Sequence, residues 1–334
     1  ITDLETGESI SVPMPGIELD IGDFDVYMYP RHPSLSAEGR YLTFIARAHV
    51  ATPSPRGYWR RDVFLYDRDA DGNGVFDEEG GTTPILITDQ LYDKTADPED
   101  WKTVYSSYNN ISRDGRFVIY CSGFPDLVDD DTNGFIDTFV YDAASGTNVM
   151  ISRAMNGEPG NADSEAWWTT SLSADGRYAA FSSEASNLVR DDIELPDARN
   201  GVHDSFLLDR ATDGDGIYDE PGATALEMIT VDSNGQQQGG GWDPMVTDDG
   251  TKVVFGSFES YVAIDGNDTN DGYLRDRTVP VIEVTQAKYK TKRSSLKVKA
   301  RSDIGPLGDL VLEGYGPMVY KGGGLWQLTV DNLD

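Results

Sequence analysis

Cysteine is nearly missing from this chain of 334 residues: Cys121 stands alone, which excludes an intrachain disulfide framework. It lies in the apolar run "RFVIYC", where a lone thiol reads as a buried strand residue. Long apolar runs are missing as well. No stretch reaches the roughly eighteen residues that a spanning helix needs, so no membrane insertion is expected. Histidine is limited to His32, His49 and His203, and no two sit at metalloprotease spacing. Neither a Gly-x-Ser-x-Gly elbow nor a phosphate-binding glycine loop is present. With no catalytic constellation recognised, the chain is expected not to be an enzyme.

Positive charge is scarce. The sequence has 27 basic against 58 acidic side chains, a net charge of −31. Sustained binding to nucleic acid or to an anionic membrane is therefore excluded, and cations become the natural partners. Bound divalent ions would also relieve self-repulsion in the compact state.

The carboxylates are concentrated in short loops. "DRDADGNGVFDE" runs from Asp67 to Glu78 and admits two calcium-loop registers. Read from Asp67, acids fall at positions 1, 3, 5 and 12, with glycine at 6. Read from Asp69, the ligands are Asp69, Asp71, Asn73 and Asp77, with Gly74 at the turn and Phe76 packing inward. The second register is preferred, because Gly72 and Gly74 free the backbone to curl and an apolar residue at position 8 anchors the loop. "DRATDGDGIYDE", Asp209 to Glu220, aligns with it without a gap and offers Asp213, Asp215 and Asp219. There Ala211 replaces Asp69, so the second loop is expected to bind more weakly or to recruit a water.

Repeats organise the rest. "LSAEGRYLTFIA", "ISRDGRFVIYC", "LSADGRYAAFSS" and "VTDDGTKVVFGS" begin at Leu35, Ile111, Leu172 and Val246. Each reads as strand, tight turn and second strand. "DVFLYD", "DTFVYD", "DSFLLD" and "DGYLRD" supply a third strand, and "TPILIT", "TNVMIS" and "ALEMIT" supply fourths. The turn glycines Gly39, Gly115, Gly176 and Gly250 lie 76, 61 and 74 residues apart. Repeated four-stranded units with short edges predict an all-β chain of β-propeller blades. "LSADGRYAAF", "SNLV", "DTNGFIDTFVYD" and "SGTNVMIS" resemble the bacterial TolB-like, WD-like β-propeller repeat proteins over about residues 1–278. The resemblance implies a propeller and leaves the ligand open, since that superfamily includes binders, scaffolds and carriers of catalytic domains.

A second class of acidic loop precedes the third strands. Asp131, Asn133 and Asp137 form one set, and Asp197, Asn200 and Asp204 another. The last repeat offers Asp265, Asn267 and Asp268, with Asn270 and Asp271 beside them. All are candidate Ca²⁺ ligands. His203, inside "NGVHD", reads as loop packing near such a site rather than as a general base.

Closure has three readings. "ITDLETGESISVP" at the N-terminus looks like the tail of a third strand plus a fourth. It completes the last blade as a clasp, or the blades belong to a longer chain, or a neighbouring molecule donates the missing strand.

From about Val279 the character changes. Residues 281–334 carry a net +2 against −33 for the remainder, and their short strands predict an immunoglobulin-like sandwich over 279–334. Its basic run from Lys288 to Arg301 reads as a solvated strand face, or as a positive face for an acidic propeller.

Weak calcium loops, with dissociation constants of roughly 10⁻⁴ to 10⁻³ M, suit millimolar extracellular Ca²⁺. The chain is therefore expected outside the cell or on its surface. No signal peptide is visible and the sequence starts at Ile1, so upstream processing is expected. The leading expectation is a calcium-stabilised surface scaffold, binding module or assembly subunit, partnered by other protein subunits or by itself. The alternative is a carbohydrate-binding or carbohydrate-active propeller using Trp167, Trp168 and Trp242 as a glycan platform.

Overall fold

The computed structural model describes residues 29–50, 58–78, 84–88, 106–165, 169–189, 203–232, 237, 240–261, 269–277, 282–290, 295–302, 311–312, 315–322 and 325–330. The chain divides into two compact units, Ile1–Asp276 and Arg277–Asp334. Every regular element among the described residues is a strand.

In the first unit, β1 (Tyr29–Leu35), β2 (Tyr41–Val50), β3 (Tyr58–Asp67) and β4 (Ile85–Leu86) form an antiparallel meander. The same order recurs in β5 (Ser106–Ile111), β6 (Phe117–Ser122), β7 (Asp137–Asp142) and β8 (Thr147–Met150). It recurs again in β9 (Ser171–Leu172), β10 (Tyr178–Ser183), β11 (Asp204–Asp209) and β12 (Ala225–Met228). A fourth sheet has three strands, β13 (Gly241–Val246), β14 (Lys252–Ser257) and β15 (Asp271–Asp276).

The middle strands of the second and third sheets are buried at nearly every position because both of their faces are covered. All six residues of β6 are buried. Ile45, Val63 and Leu65 of the first sheet pack on Val118, Tyr120 and Phe139 of the second. Ile119 and Val140 on the opposite face meet Phe181, Phe206 and Leu208 of the third. Ala180 and Leu207 of the third then meet Val253 and Phe255 of the fourth. Each such side chain contributes about 1.5–3 kcal/mol when fully removed from water.

The turn between the first two strands of each sheet ties neighbours together. In the second sheet, the Asp114 carboxylate accepts hydrogen bonds from the Ser112 hydroxyl (2.5 Å) and the Arg116 N–H (3.0 Å), and Gly115 takes φ 81°. Successive turns are joined by backbone bonds: Ala37 N–H to Arg113 O, Arg113 N–H to Ala174 O, and Ala174 N–H to Asp248 O. Glycine is needed at these turns for space as well as for φ. A Cβ on Gly176 would lie 2.3 Å from the Phe117 ring of the preceding sheet, and Gly115 and Gly250 meet Tyr41 and Tyr178 in the same way.

A second repeated device closes the outer side. Asp62 accepts from the Thr88 hydroxyl at 2.8 Å, Asp137 from Ser152 at 2.6 Å and Asp204 from Thr230 at 2.6 Å. Each of these third strands, at the head of β7 and β11 and midway along β3, is thereby fastened to the segment that follows the fourth.

In the second unit, β16 (Ile282–Lys290), β17 (Ser295–Ser302), β18 (Val311–Leu312), β19 (Gly316–Pro317), β20 (Val319–Gly322) and β21 (Leu325–Val330) form one four-stranded sheet and a ribbon. The sheet order is β16-β17-β21-β20, and β18 pairs with β19. Val298, Ala300, Met318 and Trp326 make its core. Leu312 of β18 packs against this core, and the described residues do not show the immunoglobulin-like sandwich expected over 279–334.

Candidate metal sites in the acidic loops

The loop after β3 starts from the end of that strand, where Asp67 takes a bidentate ion pair from Arg40, both contacts at 2.8 Å. Burial would raise the Asp67 carboxyl, but the Arg40 bonds outweigh it and hold the group below its ordinary value. One residue on, Arg68 reaches across the loop to Asp77 at 2.7 Å and donates to Gly39 O at 2.6 Å. Asp77 sits at φ 61°, a strained position for a residue with a side chain. Asp69 is buried and accepts the Gly74 N–H at 3.1 Å.

Both ends of the loop are therefore committed to arginines. The preferred register joined Asp77 to Asp69, Asp71 and Asn73, but the structure does not bring these together. What does converge is Asp71, Asn73 and Glu78. The Asn73 amide donates to Asp71 at 2.9 Å and to Glu78 at 2.7 Å, all three being exposed. Phe76 does not pack inward either; it is 37% exposed and lies over the Arg68 guanidinium at 4.7 Å.

The loop after β11 repeats this plan. Arg177 holds Asp209 at 2.8 Å, and Arg210 holds Asp219 at 2.5 Å while donating to Gly176 O at 2.7 Å. Arg210 is only 1% exposed and its guanidinium stacks on Phe117 (4.5 Å) and Tyr218 (5.0 Å). Asp219 has φ 61°, matching Asp77. The equivalents of Asp71, Asn73 and Glu78 are Asp213, Asp215 and Glu220, which bring a carboxylate oxygen each to within 4.8 Å of one another. Ala211, expected to cost this loop a ligand, is buried, and the residue it replaces, Asp69, serves a backbone N–H.

The sets before the third strands are built differently. Asp137 lies at the head of β7, buried, with the Ser152 hydroxyl on one oxygen and the Asn133 amide at 2.8 Å on the other. Burial pushes its carboxyl up to about 6. Asp131 is also raised by burial, and Asn133 donates in addition to Gly160 O at 3.0 Å. Asp204 accepts from Thr230 and, at 2.9 Å, from the Gln237 amide, and burial raises it too. Asp137 and Asp204 already have hydrogen-bond donors from the protein, which is the reason to read them as joints between strands. Asp197, Asn200, Asp265, Asn267 and Asp268 lie outside the described residues, as do Trp167 and Trp168. Trp242 is half-buried against Phe258, ring centres 5.1 Å apart. His203 is buried, 3.1 Å from Glu184, and desolvation lowers its pKa.

Sequence reasoning passed over the arginines that decide the loop geometry. The signal was present: the dipeptide Asp-Arg opens both twelve-residue loops, and an arginine follows the turn glycine in three repeats. It also passed over three bulges in the first strands, where His32 (φ 50°), Tyr108 (φ 44°) and Asp243 (φ 55°) occupy equivalent positions.

No protein-family model matches the sequence, and no curated protein matches it. Similarity appears among solved structures. The tricorn protease is 14% identical, with TM-score 0.40, over 82% of this chain and 25% of that one. TolB from Agrobacterium tumefaciens is 16% identical, with TM-score 0.33, over 92% and 91% of the two chains. The β-propeller domain of Cps50 (Swd1) from Myceliophteria thermophila is 10% identical, with TM-score 0.32, over 80% and 79%. The chain thus spans a quarter of the tricorn protease. Peptidases from Mycobacterium tuberculosis and Pyrococcus horikoshii are also among the similar structures. The expectation that the chain is not an enzyme is withdrawn, because the similar solved structures include peptidases. At such identities no activity passes to this chain from these structures.

Proposed function

We propose that the chain is a calcium-stabilised, blade-built scaffold that works outside the cell as a binding or assembly subunit. The observation that carries this reading is the group Asp213, Asp215 and Glu220. Three carboxylates stand within 4.8 Å on a loop whose arginines, Arg177 and Arg210, are occupied by Asp209 and Asp219. Hard oxygen donors on a glycine-rich turn suit Ca²⁺, which takes six to eight oxygens at roughly 2.3–2.6 Å and completes its shell with carbonyls and water. Gly214 and Gly216, at φ 72° and 85°, provide the curled backbone. The loop after β3 is the weaker site, because the Asn73 amide already satisfies Asp71 and Glu78. The net charge of −31 favours cation binding throughout.

Calorimetric titration of the chelator-treated chain with CaCl₂, beside Asp215→Asn, tests this. Saturable binding in the wild type that weakens at least tenfold in the variant is expected. A wild type that shows neither heat nor a rise in melting temperature with Ca²⁺ would sink the reading.

A further inference from the structure

Asn73, Asn133 and Asn156 are each followed by glycine, which has no side chain to crowd an attack of its backbone nitrogen on the preceding amide. In all three the asparagine Oδ1 accepts the N–H two residues on, from Val75 at 2.7 Å, Phe135 at 2.9 Å and Glu158 at 3.0 Å. That donor stands where negative charge would build on the oxygen during such an attack. Asn73 differs in what holds its glycine. The Gly74 N–H is aimed at both carboxylate oxygens of buried Asp69, at 3.1 and 3.2 Å, whereas the Gly157 N–H goes to a backbone carbonyl, Ala154 O, at 2.8 Å. In the loop after β11, Ala211 replaces Asp69 and Asp215 replaces Asn73. The buried acid is thus present where an amide is followed by glycine and absent where a carboxylate already stands.

We infer that Asn73 is a site of spontaneous deamidation, that Asp69 restrains it, and that the reaction converts the amide-bridged group of this loop into the three-carboxylate group of the other. The Gly74 nitrogen gives up its proton to solvent and forms a bond to Cγ of Asn73; the Cγ–Nδ2 bond breaks, and Nδ2 leaves as ammonia with a proton from water. Water then opens the cyclic imide at either carbonyl, leaving aspartate or isoaspartate, and nothing is oxidised or reduced. The attacking electron pair lies where the Gly74 hydrogen was. With that hydrogen aimed at Asp69, the pair points away from Cγ, and the charge on Asp69 opposes loss of the proton. Asp69 is therefore a positioning residue for an unwanted reaction, in addition to closing the turn. Asn73 itself is exposed, and its amide lies between Asp71 and Glu78, so the aspartate product places a third carboxylate there. The gain in calcium affinity that this implies rests on the function proposed above; the reaction does not.

The experiment ages the full chain in chelator at neutral pH and follows each asparagine by peptide mapping with mass spectrometry. In Asp69→Ala, deamidation at Asn73 is expected to speed up about tenfold or more, since about 1.4 kcal/mol is tenfold and a hydrogen bond to a charged group contributes at least that. Asn156, in the same sample, should keep its wild-type rate. Asp69→Asn, which retains an oxygen able to accept the Gly74 N–H, should fall between Asp69→Ala and wild type. The second loop supplies a test that leaves the first untouched. Asp215→Asn sets an amide before Gly216 in a frame where alanine is native, so position 215 should deamidate fast, and adding Ala211→Asp should slow it by a similar factor. An Asn73 rate that is unchanged or lower in Asp69→Ala overturns the inference, the lower rate marking Asp69 as a base; so does a position 215 indifferent to Ala211→Asp. Equal acceleration at Asn156 would mark general unfolding in Asp69→Ala, and the pair at position 215 then decides. Aged wild type is finally titrated with CaCl₂. Deamidation as expected, with no Ca²⁺ bound before or after it, would break the calcium reading and leave this one standing.

Discussion

The loops Asp67–Glu78 and Asp209–Glu220 share length, glycine positions and backbone angles, yet they put different chemistry at the same place. In both, the first arginine-paired aspartate ends a strand and the second sits at φ 61°. In the first loop an amide lies between two carboxylates and hydrogen-bonds both; in the second, three carboxylates face one another. The frame is thus separable from the site. Buried guanidinium pairs hold the loop shape, and positions 71, 73 and 78, or 213, 215 and 220, are free to vary in charge.

The frame should be the costliest part to remove. Arg210 is 1% exposed, stacked on two rings and paired with Asp219, so Arg210→Ala strands a carboxylate in a partly buried place and opens a hole beside Phe117. A loss of about 3–5 kcal/mol is expected by urea unfolding. Arg68→Ala removes the same ion pair with a single, more exposed ring, Phe76, above it, so it should cost less. Equal costs would mean that the rings contribute nothing and that the two frames are equivalent.

The acidic residues before the third strands show what happens when the carboxylate is enclosed instead. Asp137 has its carboxyl pushed up to about 6 by burial, against an ordinary 3.8. A raised folded-state pKa favours the protonated form on folding, so the stability this group contributes is full below about pH 4 and is lost as pH rises through about 6. The difference between the two values corresponds to about 3 kcal/mol. Asp137→Asn, neutral at every pH, should melt higher than wild type at pH 7 in chelator, and the difference should close by pH 4. A gap that is constant with pH would show that Asp137 is not the titrating group.

The sheets were legible because their repeats are local: turn glycine, arginine, alternating apolar run and terminal aspartate recur in order. The loop register was not, because side-chain direction there is set by partners far along the chain. Arg40 lies 27 residues from Asp67, and Gly176, whose carbonyl takes Arg210, is 34 residues from it. Asp69 illustrates the difficulty. Its spacing in the loop matches a ligand, yet its carboxylate closes the turn onto the Gly74 N–H. The bulges at His32, Tyr108 and Asp243 had no sequence signal beyond their alignment, since a positive φ on a residue with a side chain is imposed by the strands around it.

The smallest change gives the sharpest test of the comparison. Asn73→Asp converts the three key groups of the first loop into those of the second, without touching Arg40, Arg68 or the glycines. Loss of the amide removes two hydrogen bonds, at 2.9 and 2.7 Å, and sets a new carboxylate between those of Asp71 and Glu78, so that all three repel one another. Without Ca²⁺ the variant should therefore be slightly less stable than wild type, by a few tenths of a kcal/mol to about 1 kcal/mol for exposed groups. With Ca²⁺ the order should reverse, since the third carboxylate adds a charged ligand where an amide stood. Affinity at this loop should rise about tenfold, or about 1.4 kcal/mol, read as a second binding event in calorimetry beside that of Asp213, Asp215 and Glu220. If the variant is destabilised without Ca²⁺ and gains nothing with it, charge at this position does not govern ion binding. The difference between the two loops would then lie in Asp69 and Ala211, as their sequences alone suggest.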